Sequence, residues 1–138
     1  MKKLNLFIAV AIMAALFVAC GQTDLQKAES ERDAAYERLE KKGNELRPKL
    51  VAGGYNAELV NENFNVYKQY DINAGRPTGT RAYYYELMAR TWLNTAKADL
   101  EAIGAYELVQ EIKVLADEVL ALEAKVKELG GNNDKYLF

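Results

Sequence analysis

The segment near residue 120 carries the clearest periodic pattern in the chain. Its apolar residues alternate between spacings of three and four, and Leu108 extends the series towards the N-terminus. This spacing places apolar side chains on one face of an α-helix. β-branched residues and leucines alternate as they do in a two-stranded coiled-coil seam. The candidate helix-packing seam consists of Ile112, Leu115, Val119, Leu122, Val126 and Leu129.

The other segments after residue 22 also favour helices. No long alternation of apolar and polar residues predicts a strand, and the only prolines, Pro48 and Pro77, lie in predicted connections. Thr23 and Gln26 have the spacing of a helix capping box, and Pro48 is expected to follow the end of that helix. We predict four helices, over about residues 23–47, 57–73, 80–103 and 105–129.

The expected fold is all-α, a small antiparallel bundle of about four helices. The seam can pack against a helix of the same chain or against a second copy, and we favour the same chain because bundle helices commonly carry such stripes. The backbone conformation of Gly104 decides between two architectures. A left-handed cap at Gly104 folds the last two helices back on each other, whereas a tolerated glycine leaves one rod of about 50 residues. We favour the turn.

The second helix is expected to have one face in the core and one in water, with Asn56 as its N-cap. The predicted core positions are Val60, Phe64, Tyr67 and Ile72. The predicted solvent positions are Asn61, Asn63, Lys68 and Asp71. Residues 130–138 follow a double glycine and are predicted to form a flexible tail.

The N-terminal segment has the layout of an export signal. Two lysines, Lys2 and Lys3, precede an apolar run of 14 residues from position 6 to position 19, and Cys20 follows. A membrane-spanning helix needs roughly 20 apolar residues, so the run is short for that purpose. A short span is the alternative, because no charged residue lies between Lys3 and Asp24. A positive start, an apolar middle and a small residue before the cut are typical of a cleaved signal peptide.

Phe17, Val18, Ala19 and Cys20 resemble the lipobox of bacterial lipoproteins. The resemblance implies cleavage before Cys20 and acylation of its thiol with chains such as palmitate. Gly21 stands where an aspartate retains many lipoproteins on the inner membrane, so the resemblance implies the outer membrane. It divides the chain into a signal peptide (residues 1–19), a lipidated N-terminus (20–22), a helical domain (23–129) and the tail (130–138).

Composition argues against several classes of function. The chain has no histidine, Ser30 is its only serine and Cys20 its only cysteine, so the common nucleophilic sites and cysteine or imidazole metal sites lack their residues. Residues 20–138 hold 16 basic and 20 acidic residues, a net charge of -4 that disfavours nucleic acid. We predict no enzyme activity, no catalytic residue, no cofactor and no metal.

One segment has the composition of a contact site. Arg76 and Arg81 flank a glycine and two threonines at a predicted helix start, a favourable setting for an anion, and Tyr83 and Tyr84 could stack on a sugar or a partner side chain. The alternative is an ordinary polar connection beside core aromatics. Residues 84–96, YYELMARTWLNTA, resemble a helical segment found in some OmpA-like envelope proteins, which implies an envelope role.

These features predict a membrane-anchored helical lipoprotein of the bacterial cell envelope that acts as a structural or protein-interaction component. Its expected partners are the lipid membrane, through acylated Cys20, and an envelope protein or a second copy of itself. The alternative function is an envelope binding module for a glycan, such as peptidoglycan, or for a small anionic ligand.

Overall fold

The computed structural model describes residues 22–138, and every regular element in this range is helical apart from one isolated β-bridge. The elements are α1 (Asp24–Ala52), α2 (Leu59–Asn73), α3 (Arg81–Thr95), α4 (Lys97–Ala102), α5 (Tyr106–Glu128) and a short 3-10 turn (Asp134–Tyr136). The predicted all-α class is therefore confirmed for this part of the chain. None of the helices described in it combines the length and the apolar character that crossing a membrane requires. The predicted signal peptide and Cys20 lie outside the described residues.

Helix α1 begins at the predicted capping box but continues past its predicted end. The Thr23 hydroxyl accepts a hydrogen bond from the Gln26 backbone at 3.1 Å, and the Gln26 side chain accepts one from the Thr23 backbone at 3.0 Å. The prediction that Pro48 follows the helix end is wrong, because Pro48 lies inside the last turns. Pro48 has no backbone N–H to donate to the carbonyl of Asn44, four residues earlier. Both residues are exposed, so water can donate to that carbonyl instead. Buried Leu50 holds the final turn on the core.

Helix α2 begins two residues later than predicted. Asn56 does not cap the helix; its side-chain oxygen instead accepts a hydrogen bond from the Glu58 backbone at 2.9 Å, which forms a turn before the helix. Val60 and Phe64 are buried as predicted. The faces further along are reversed, since Asp71 is buried and Ile72 is 50% exposed.

The reversal follows from helical spacing. Asp71 lies seven residues after Phe64 and therefore on the same face, whereas Ile72 lies one residue further round the helix. The hydroxyl of buried Tyr84 donates a hydrogen bond to the Asp71 carboxylate at 3.1 Å, which supplies the partner that a buried acid needs.

The predicted third helix is divided into α3 and α4 by Ala96. The backbone of Ala96 has φ -130° and ψ 26°, outside helical geometry, and the hydroxyl of Thr95 donates to the carbonyl oxygen of Thr91 at 2.7 Å. Gly104 has φ +68° and the Ala105 backbone donates to Leu100 at 2.8 Å, so the predicted left-handed turn is present. The chain does not form the alternative 50-residue rod.

Helix α5 lies between α1 and α3 and runs antiparallel to both, because the residue numbers on facing helices run in opposite order. The contacts that show this are Arg38–Glu118 and Lys42–Glu111 for α1, and Thr80–Glu123 and Glu86–Lys113 for α3. Helix α2 packs on α3 from the other side, with the rings of Phe64 and Tyr85 meeting edge to face at 4.8 Å.

The predicted seam on α5 faces the interior of its own bundle. Ile112, Val119 and Val126 are fully buried, and Ala116 completes the stripe between them. The leucines of the seam lie at its margins: Leu115 and Leu122 are partly buried against the core, and Leu129 is 39% exposed. The described residues therefore cover the centre of this stripe by intramolecular packing.

Candidate functional site

The predicted contact residues lie around the start of α3, where Thr80 is the N-cap. Its hydroxyl accepts from the Tyr83 backbone and donates to the Glu123 carboxylate at 2.9 Å. The next residue, Arg81, forms a two-pronged ion pair with Glu40 of α1, with nitrogen–oxygen distances of 2.5 and 3.1 Å. The hydrogen bonds to Glu40 raise the pKa of Arg81 above its usual value. The positive charge of Arg81 is thus already neutralised within the chain.

Tyr84 is part of the core. Its ring has no exposed surface, and its hydroxyl accepts a hydrogen bond from the Gly79 backbone at 3.0 Å while donating to Asp71. Burial, followed by the hydrogen bond to Asp71, raises the pKa of the Tyr84 hydroxyl. Its position therefore corrects the hypothesis that Tyr84 stacks on an external sugar ring, because no face of the ring is available.

The remaining two predicted contact residues, Tyr83 and Arg76, lie in different surroundings. The Tyr83 ring is partly buried and packs edge to face on Tyr84, with 5.1 Å between ring centres. The guanidinium of exposed Arg76 lies over the ring of Tyr70, 5.6 Å from its centre. Of the four predicted side chains, the structure brings Tyr83 and Tyr84 together and leaves Arg76 on the outer surface beside α2.

A buried polar cluster, which the sequence analysis missed, joins α1, α3 and α5. The Tyr36 hydroxyl donates to the Glu123 carboxylate at 2.5 Å, and Thr80 occupies the other oxygen of that carboxylate. The Tyr36 oxygen also accepts from the Ala82 backbone at 3.3 Å. Burial raises the pKa of Glu123, and burial together with the bond to Glu123 raises the pKa of Tyr36.

Arg32 extends this polar cluster to the C-terminal segment. Its side chain is 98% covered, and its guanidinium donates to the Asn132 carbonyl at 2.7 Å and to the Asn133 side chain at 2.9 Å. Asn133 in turn donates to the Glu123 backbone at 3.1 Å. All the buried side-chain nitrogen and oxygen atoms in the described range have hydrogen-bond partners, so the cluster offers no free group to a ligand.

The segment predicted to be a flexible tail packs on the bundle. The rings of Tyr136 and Tyr36 stack with 3.6 Å between their centres and 2° between their planes. Phe138 contacts Phe64 edge to face at 5.4 Å, and the Leu137 backbone bridges to Thr80. The prediction of a loose end missed these contacts, because aromatic residues after a double glycine give no periodic pattern.

Asp33 ties the same segment to α1 from the solvent side. Its carboxylate accepts hydrogen bonds from the Tyr136 hydroxyl at 2.7 Å and from Lys135 at 2.9 Å. Burial alone would raise the pKa of Asp33, but the hydrogen bonds from Tyr136, Lys135 and Arg32 outweigh it, and the pKa is lowered.

A shallow depression along α1 lies beside Tyr136 and is lined by several carboxylates. Asp33 is paired with Lys135, and Glu40 is paired with Arg81. Within residues 22–138, no group of three or more carboxylates, cysteines or histidines lies close enough to hold a metal ion. Two of the acids that line the depression are therefore already paired with cations of the fold.

The sequence contains a signal for the buried polar residues. Arg32 lies four residues from both Ala28 and Tyr36, which are buried, and Glu123 lies four residues after buried Val119. A polar residue on an apolar helical stripe is therefore the pattern that marks the cluster.

Comparisons of the chain with protein-family models, with curated proteins and with solved structures found no match. The function proposed for this chain therefore depends on its own residues and contacts.

Proposed function

We propose that the chain is a lipid-anchored helical lipoprotein of the bacterial outer membrane that acts by contact with another envelope protein. The observation that carries the proposal is the position of Cys20, three residues before the capped start of a long helix at Thr23. The apolar run before the cysteine and the lipobox-like residues 17–20 support acylation at this position.

The short spacing has a mechanical consequence. Only Gly21 and Gln22 separate Cys20 from the cap at Thr23, so the sequence between anchor and bundle is two residues long. Each buried methylene group of an acyl chain contributes about 0.8 kcal/mol, and two or three chains hold a protein on a bilayer almost permanently. On this proposal the bundle is held directly at the membrane surface.

The outer face of α2 is a candidate contact surface. Val66 is 66% exposed and Tyr70, one turn later, is 65% exposed. Arg76 lies against the Tyr70 ring and adds a cation beside these two side chains. Tyrosine and arginine are enriched at protein interfaces. Because the centre of the α5 seam is covered within the chain, the α2 face is a better candidate for a partner than the seam.

Metabolic labelling tests the lipid anchor. We expect cells that express the full chain with labelled palmitate to yield a labelled protein in the outer-membrane fraction. The Cys20→Ser variant should lose the label and retain its leader, because the thioether cannot form. Substituting Ser30 by alanine is a matched control that should leave labelling unchanged. An unlabelled parent protein in outer-membrane-containing cells would refute the proposal.

Site-directed photo-crosslinking tests the contact surface. We expect a photo-reactive residue at Val66 or Tyr70 to give adducts with a second envelope protein in intact cells. The same residue at Gln110, which is exposed on α5, serves as the control and should give little or none. Adducts of twice the chain mass would instead indicate self-association, and equal yields at all three positions would contradict a specific surface.

A further inference from the structure

A second cavity lies at the end of the bundle remote from Thr23. It has a volume of about 280 Å³ and lies between the end of α1, the start of α2 and the junction of α3 with α4. Its lining residues are Leu50, Tyr55, Leu59, Asn63, Trp92, Ala96, Asp99, Leu100 and Ile103.

The lining is mostly apolar and carries one charge. The apolar lining residues are leucines, an isoleucine, an alanine and the aromatic residues Trp92 and Tyr55, and no lysine or arginine is among the lining residues. Asp99 is the only acid there; it is exposed, and within residues 22–138 it forms no ion pair, while neighbouring Lys97 pairs with Glu101. Asn63 donates through its side chain to the Leu59 carbonyl at 2.8 Å, so its own side-chain oxygen still can accept a hydrogen bond.

We propose that this cavity binds a small organic ammonium ion with an apolar or aromatic body. Aromatic faces attract cations electrostatically, and the Asp99 carboxylate supplies the complementary charge. The mostly apolar lining offers few ligands to replace the water of a strongly hydrated inorganic ion but suits a hydrocarbon body. The Asn63 oxygen can accept a hydrogen bond from the ammonium group.

The volume limits the size of the ligand. A dry apolar cavity of about 150 Å³ holds benzene, and pockets for drug-sized ligands begin at about 300 Å³. A single aromatic ring with a short alkylammonium arm lies between these limits. The inference goes beyond the proposed function, because it depends on the cavity alone and not on acylation of Cys20.

Fluorescence gives a direct measurement, because Trp92 is the only tryptophan in the chain and lines the cavity. The full-length chain in a non-ionic detergent would be titrated with phenethylammonium chloride and, separately, with neutral 2-phenylethanol. We expect a saturable change in Trp92 emission with both probes. The ammonium probe should bind about fivefold more tightly, as one partly exposed charge interaction permits.

Three variants distinguish the effect of the Asp99 charge from the effect of the cavity. Asp99→Asn should remove the preference for the ammonium probe, while Glu101→Gln, two residues along α4 and outside the lining, should retain it. Ala96→Leu should fill the cavity and abolish the saturable change with both probes, with an unchanged far-ultraviolet circular dichroism spectrum showing that the helices persist.

A linear, unsaturable response of the parent protein would overturn the proposal. So would equal affinities for the two probes, or a preference for the ammonium ion that survives Asp99→Asn. A saturable response that persists in a folded Ala96→Leu variant would place binding elsewhere and equally refute it.

Discussion

Arg32 shows how a single charged residue can hold distant parts of the chain together. Its guanidinium is buried and donates to Asn132 and Asn133, about a hundred positions away. Such a group is tolerated in a core only when its hydrogen bonds are satisfied. The residue therefore has a structural role that its charge-rich sequence neighbourhood conceals.

Replacing Arg32 by methionine should lower the free energy of unfolding by about 1–3 kcal/mol, because the acceptors on Asn132 and Asn133 lose their donor inside the protein. Urea denaturation followed by circular dichroism measures the effect. Arg90→Met is the matched control, since Arg90 pairs with Glu86 on the surface of α3 and should contribute less than about 0.5 kcal/mol. Equal losses in the two variants would contradict the role assigned to Arg32.

Glu123 should make stability depend on pH. Burial raises its pKa above the ordinary value of 4.5, so the folded protein holds the proton more tightly than the unfolded chain. The stabilising contribution of protonated Glu123 to the free energy of unfolding is therefore fully present below pH 4.5. It is lost as the pH rises through the raised pKa of the folded state. The comparison is between the parent protein and Glu123→Gln, which cannot ionise.

We expect the free energy of unfolding of Glu123→Gln, relative to the parent, to increase as the pH is raised from 4 to 7 in urea titrations. The Asp33→Asn variant, measured from about pH 4 downward, is a control of opposite sign. The Asp33 pKa is lowered, so its favourable contribution in the parent is present above its ordinary value of 3.8 and is lost as the pH falls through the lowered value. A pH-independent difference for Glu123→Gln would contradict the expected shift.

At the scale of the helices, one close contact between α1 and α3 depends on a glycine. A Cβ atom on buried Gly43 would overlap the ring and hydroxyl of Tyr85. Burial also raises the pKa of that hydroxyl to about 12, and it donates to Glu40 at 3.3 Å. The glycine therefore allows α1 to approach the aromatic side of α3.

The Gly43→Ala variant should be less stable by about 1–3 kcal/mol from overpacking, although alanine favours an isolated helix by about 1 kcal/mol. Thermal and urea denaturation would measure the change. Asn44→Ala, at the next and exposed position, should be neutral or stabilising because only helix propensity acts there. A stabilised Gly43→Ala protein would show that α1 and α3 are less closely packed than described.

The C-terminal segment is expected to contribute to stability through its aromatic residues. Phe138→Ala should lower the free energy of unfolding by about 1–2 kcal/mol, because the ring packs against Phe64 and Tyr84. Leu137→Ala, whose side chain is 50% exposed, should lose less than half as much. Similar small effects of both changes in urea denaturation would indicate that the segment adds little to the fold.

The sequence predicted the elements whose spacing is regular and missed contacts between residues far apart. Helix α5 and the turn at Gly104 were predicted because apolar periodicity and a left-handed glycine are local properties. The continuation of α1 past Pro48 depends on burial of Leu50. The division at Ala96 is marked by no glycine or proline in residues 81–102. The ion pair between Arg81 and Glu40 could not be predicted, because the two residues are far apart in the sequence. The predicted contact site therefore did not take this neutralisation into account.

At the scale of the whole molecule, burial of the α5 seam bears on association. We expect the chain from Gln22 onward to scatter light as a monomer whose apparent mass does not change with concentration, because Ile112, Val119 and Val126 are already covered. A Val66→Glu variant is the control and should behave identically. A mass that doubles with concentration would favour self-association over contact with a different protein.

The contact between Arg32 and Asn132 joins residues separated by 100 positions in the sequence. During synthesis, the Arg32 guanidinium on α1 therefore has no acceptor on Asn132 until nearly the whole polypeptide has been made. Contacts of such long range form late in folding. A ribosome that stalls before Asn132 would release a product with a charged group facing an incomplete interior. We expect copies truncated before Asn132 to be cleaved by proteases faster than the full chain.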